Sequence, residues 1–96
     1  MTHTIQLLGE QTIYQARQTH TQLWQALHEH NEPLQLELAG VTEVDSSLVQ
    51  ILLWLVPEAK RLGRPLTIGE PSAVLAEVLA VLGLSHIVQS EGAGHE

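Results

Sequence analysis

The stretch Val41-Thr42-Glu43-Val44-Asp45-Ser46-Ser47 decides how the rest of this chain is read. An apolar strand ends in a carboxylate and a hydroxyl pair, and an apolar helix starts at once. Asp45 is the sole aspartate in the sequence. The first amide N–H groups of a helix have no internal partners, so a carboxylate and hydroxyls at its mouth are suited to capping and to receiving a phosphate. Function is therefore sought first at this junction.

Working outward, Thr4 to Leu8 partly alternates and predicts a first strand, with Gly9 as its turn. From Ile13 to His30 the residues Ile13, Ala16, His20, Leu23, Trp24 and Leu27 recur at helical spacing, capped by Thr12, which places Trp24 in the core. Asn31-Glu32-Pro33 breaks that helix. Leu34, Leu36 and Leu38 then alternate with Gln35 and Glu37, as in a strand with one buried face.

The second helix begins after Asp45 and carries Leu48, Ile51, Leu52, Leu55, Ala59 and Leu62 on one stripe, widened by Val49, Leu53 and Val56. Pro57 removes a backbone donor and crowds the carbonyl of Leu53, which predicts a bend; Gly63 and Pro65 end the helix. Leu66-Thr67-Ile68 predicts a third strand. Ser72 caps a third helix that runs to Leu82 and stops at Gly83. Ile87-Val88 predicts a short last strand, and Ser90 to Glu96 a loose tail. Strands alternating with helices require right-handed crossovers and a largely parallel sheet, whose loops at the carboxyl ends of the strands form the working face.

Three further features carry the likeness to a known family: Leu8-Gly9-Glu10-Gln11-Thr12, the basic end Lys60-Arg61-Leu62-Gly63-Arg64-Pro65, and the run Val78 to Leu84. With the Asp45 junction between them, their order and spacing over Thr4 to Val88 resemble the STAS domain of anti-sigma factor antagonists and sulfate-transporter tails. The resemblance implies an α/β fold with a mixed, largely parallel sheet of four to five strands and helices packed mainly on one face. It implies a single domain over residues 1–89, with 90–96 as a flexible tail. In the antagonist branch the hydroxyl residue after the aspartate, here Ser46, is phosphorylated by a partner that is both a serine kinase and an anti-sigma factor. Leu48 stands where that family usually has glycine, and its side chain would fill space beside the helix start.

The resemblance thus implies a non-catalytic regulatory module that binds a protein through Thr42, Asp45, Ser46, Ser47, Leu48 and Trp54 and is switched at Ser46. The partner would be the kinase or another ATP-binding regulator. A second expectation is a constitutive subunit or adaptor of a lipid-transporter ATPase or a chemotaxis-type signalling complex. A third is a small-ligand site using Thr42, Ser46, Ser47 and Arg64. Trp54 falls opposite the apolar stripe, where it either anchors a partner or packs on the third helix.

Composition narrows the classes. With no cysteine there is neither a disulfide nor a thiolate metal site. Four basic residues against eleven acidic ones, a net charge of -7, exclude phosphate-backbone binding as a main task. No apolar run is long enough to span a bilayer, and the amino-terminal residues do not form a signal peptide, so the expectation is a soluble, cytoplasmic protein; a homodimer stays open. His28 and His30 lie two apart, on different faces of a helix, so no metal site and no cofactor is expected. No histidine stands near Ser46 in the sequence and there is no glycine-rich phosphate loop, so the expectation is not an enzyme.

Overall fold

The computed structural model describes residues 1–88. The element order is β1 (His3–Gln6), β2 (Gly9–Gln11), α1 (Ile13–Glu29), β3 (Leu34–Glu37), β4 (Val41–Val44), α2 (Ser46–Arg61), β5 (Leu66–Ile68) and α3 (Ala73–Val81). Among the described residues all the strand pairs are parallel: β1-β3-β5 form one ladder and β2-β4 another. The expected α/β fold with a largely parallel sheet is what the chain adopts. The amide N–H of Leu7 donates to the Glu37 carbonyl at 3.0 Å and that of Gly9 to Gly40 at 2.9 Å, stitching the two ladders together between β1-β3 and β2-β4. Gly9, expected as a turn, opens β2 with a φ of 68°, so the chain kinks there and then resumes an extended path.

The core lies where α1, α2 and α3 pack over the strands. Leu23, Leu36, Leu38, Leu52, Leu55 and Leu75 have no solvent exposure. Alternation in β3 buries Leu34 and Leu36 and leaves Gln35 and Glu37 half-buried, as a strand with one face on the core requires. Removing these Leu side chains from water is the main favourable contribution, at about 25 cal/mol per Å² of apolar surface.

Helix boundaries follow the local chemistry. Thr12 caps α1 in a reciprocal capping box with Gln15, and the Ser72 hydroxyl accepts from the Leu75 amide at 3.4 Å at the start of α3. Both α2 and α3 end in the six-to-one pattern that needs a left-handed residue. Gly63, at φ 72°, donates to Lys60, and the Arg64 amide to Ala59; Gly83 donates to Ala80, and Leu84 to Leu79.

Several expectations are corrected. Helix α1 buries Thr19, Leu23, Ala26 and Leu27, while Ile13 is exposed and Trp24 is 44% exposed. The small Ala26 shares a face with Leu23 and lets the helix sit close to the sheet. Trp24, one position around from Leu23, is too large for that contact and stacks on His28 at 4.3 Å instead. Residues 86–88 are helical rather than a last strand, and Ile87 and Val88 still bury their side chains. Helix α2 continues through Pro57 to Arg61, just before the expected stop at Gly63. The tail expected from Ser90 to Glu96 lies outside the described residues.

Candidate functional site

Asp45 is the node of the junction. As the N-cap of α2 it has extended backbone angles, and its Oδ1 accepts from the Ser47 amide at 2.8 Å. Its Oδ2 accepts from the amide of Ile13, the first residue of α1, at 3.0 Å. One carboxylate thus holds the amino ends of two helices separated by 32 residues of chain. The Ser47 amide first, and the Ile13 amide with it, hold the Asp45 carboxyl below its ordinary value, because both stabilise the ionised form. Both helix ends also favour negative charge there. This link between α1 and α2 is invisible in the sequence, where Ile13 reads simply as the first apolar residue of a helix.

Ser46 occupies the first helical position of α2 and is exposed. Beside it stand half-buried Ser47 and, from α3, the side chains of Glu77, Val78, Val81 and Leu82, while Thr42 and Glu43 are exposed on β4. Val81 is 80% exposed and Leu82 50%. The hydroxyl therefore sits at the edge of an apolar surface carrying one carboxylate. Sequence reading missed this α3 contribution. Its signal was the composition of Ala73–Val81, which is apolar almost all round although a short surface helix can bury only one side.

The other expected site residues divide. Asp45, Ser46 and Ser47 stand together at the mouth of α2, and Thr42 is exposed on β4, which leads into it. Leu48 does not join them: it is 1% exposed and points into the core, so it can neither touch a partner nor crowd the helix mouth from outside. Trp54 lies two turns further along α2, half-buried, with its ring 4.4 Å from that of His20 on α1. The helix it packs against is the first, not the third. Beside it, Ile13, Ala16, Arg17, Ser47, Gln50 and Trp54 line a shallow groove between α1 and α2. Leu53, expected to widen the buried stripe, is 44% exposed.

Arg64 leaves the small-ligand set altogether. It is 8% exposed, and its guanidinium donates to the carbonyls of Ala26, Leu27, His30 and Glu32, so it closes the carboxyl end of α1. The rest of the basic cluster is also internally engaged at Arg61, which makes a two-pronged bond to Glu58 at 2.6 and 3.0 Å. That bond first, then the charges of Arg61 and His28, hold the Glu58 carboxyl below its ordinary value. Among the described residues no helix is long and apolar enough to cross a membrane.

Comparison with known proteins agrees with this architecture. A family model described as Mlab, STAS domain, matches residues 2–89. The solved structure of the anti-sigma factor antagonist SpoIIAA in its unphosphorylated form superposes with a TM-score of 0.72 at 21% identity, over 88% of this chain and 74% of that one. At that identity the likeness is one of fold. No curated protein matches the sequence.

Proposed function

The chain belongs to the STAS domain family, and from that premise we propose that it is a non-catalytic regulatory module which binds a protein partner at the mouth of α2 and is switched by phosphorylation of Ser46. One observation carries this reading: Ser46 is an exposed hydroxyl at a helix start, bordered by the exposed apolar side chains of Val81 and Leu82. Unmodified, that border suits burial against another protein. A phosphate adds about two negative charges and three strong acceptors. At the first turn of α2 the charge is favourable within the chain, because the helix amides point at it. Across an interface it is unfavourable, since the neighbouring Asp45 and the Glu77 of α3 already carry negative charge there and the apolar surface would have to be buried beside a dianion. Phosphorylation would thus release the partner while leaving the fold intact. The partner in this reading is a serine kinase that doubles as an anti-sigma factor, or another ATP-binding regulator.

Intact-mass measurement with peptide mapping of the protein from its own host, wild type beside Ser46→Ala, tests the switch. An added phosphate that maps to Ser46 and disappears in the variant is the expected result. An unmodified mass under every growth condition tried sinks it.

A second reading is favoured by exposed Leu53 and half-buried Trp54, two turns from Ser46 on α2. There the same helix makes a constitutive contact, as a subunit or adaptor of a lipid-transporter ATPase or a chemotaxis-type complex. Pull-down with Trp54→Ala separates the two: loss of the partner irrespective of Ser46 phosphorylation supports the constitutive contact.

A further inference from the structure

We propose that His3, His30 and Glu32 form a binding site for a divalent transition-metal ion of the zinc type. The sequence hides this cluster, since His3 lies 27 positions before His30 and the neighbour that invites pairing, His28, points elsewhere. Folding brings the three together: one ligand atom from each lies within 4.8 Å of the others. The His3 and His30 rings meet edge to face with centroids 4.6 Å apart, and His30 Nδ1 is 3.8 Å from Glu32 Oε1.

Each ligand residue is held by the backbone around it. His3 opens β1, pairs in register with Leu34, and donates its amide to the Pro33 carbonyl at 2.8 Å. His30 is the C-cap of α1, and its carbonyl and that of Glu32 both accept from the Arg64 guanidinium. One buried cation therefore pins the loop on both sides of Asn31 while leaving the His30 and Glu32 side chains directed at His3. Glu32 Oε1 is shielded from solvent yet has no hydrogen-bond partner, a cost that a bound cation would remove.

The donor set fits the metal. Two imidazole nitrogens and a carboxylate oxygen are zinc ligands at about 2.0–2.2 Å, which places tetrahedral donors roughly 3.3 Å apart. Closing a 4.8 Å triangle to that size would need the side chains of half-buried His3 and of His30 and Glu32 to turn toward one another. A fourth position is left for water or an exogenous ligand. The site sits at the amino ends of β1 and β3, away from the carboxyl-end loops that carry Ser46, and metal binding would clamp the β1 edge to the loop between α1 and β3.

Zinc titration of the full, untagged chain tests the proposal, followed by calorimetry and by the imidazole resonances in nitrogen-edited NMR. The expected result is binding of a single equivalent, with shifts confined to His3 and His30. Each of His3→Ala, His30→Gln and Glu32→Gln should weaken affinity by at least about tenfold, and His28→Gln should leave it unchanged. These side chains lie outside the core, and circular dichroism confirms that each variant is folded. Wild-type binding should also raise the thermal midpoint progressively, with the logarithm of free zinc above Kd, as for any ligand of the native state alone. Absence of binding, shifts on His28 or His86 instead, or full affinity in any of the three ligand variants overturns the assignment.

Discussion

Replacing Arg64 tests how this fold closes its first helix. A helix leaves its last four carbonyls without internal partners, and in α1 those of Leu27 and His30 accept from the Arg64 guanidinium, together with Ala26 and Glu32. In Arg64→Ala the His30 and Glu32 carbonyls lie near enough to the surface to be hydrated. The bonds to Ala26 and Leu27, at 2.8 and 2.7 Å, are buried, and water cannot replace their donor. At about 1.5–2 kcal/mol for each lost bond to a charged donor, the variant should be destabilised by about 3–4 kcal/mol. With a urea slope of about 1–1.5 kcal/mol/M for a domain of this size, the midpoint should fall by about 2–4 M. Arg64→Lys keeps the charge but not the planar fork that reaches four carbonyls, and should recover roughly half of the loss. Amide exchange should accelerate most in the last turn of α1. An Ala variant within about 0.5 kcal/mol of wild type refutes the reasoning, as does a Lys variant equal to wild type, which would mean that charge alone suffices.

Two further outcomes are expected. Leu48→Ala, at a position 1% exposed, should cost about 3 kcal/mol in chemical unfolding; a change under about 0.5 kcal/mol would return Leu48 to the surface and to the contact set. Asp45 is ionised more readily in the folded chain because the amides of Ser47 and Ile13 donate to it, so its stabilisation is complete above the ordinary value of 3.8 and is lost as pH falls through the lower folded value. Asp45→Asn should therefore flatten the acid limb of the stability curve below that pH; identical acid limbs in wild type and Asp45→Asn would remove the two-helix link.

Much of the architecture was legible because its signals are local. The caps at Thr12, Asp45 and Ser72, the stops at Gly63 and Gly83, and the alternation of Leu34 to Leu38 each depend on residues within a few positions, and each element starts or stops where they place it. What was hidden depends on packing between distant segments. The face of α1 could not be read from apolar spacing alone, because Thr19 and Ala26 win burial by being small enough for close approach, and Trp24 loses it by being large. Arg64 looked like a surface cation because nothing in Leu62-Gly63-Arg64-Pro65 announces four carbonyls from α1 and the loop beyond it. Ile87-Val88 has the composition of a strand and finds its burial as part of a helical turn, since two β-branched residues specify burial more firmly than backbone conformation.

The same distinction explains why the junction combines a rigid residue with a free one. In the sequence the carboxylate and the hydroxyls at this junction are alike suited to capping the first turn of α2. In the folded chain Asp45 supplies the cap oxygen and spends its second oxygen on α1, so the structural role falls on the carboxylate. Ser46 is released from it and stands exposed one residue later. A group attached to its hydroxyl would therefore meet the α2 amides and the Val81–Leu82 surface without displacing a bond that holds the helices together. Removal of Asp45 would perturb the fold, whereas the proposed modification of Ser46 would perturb the surface. The two adjacent residues are separable by measuring stability for the first and partner affinity for the second.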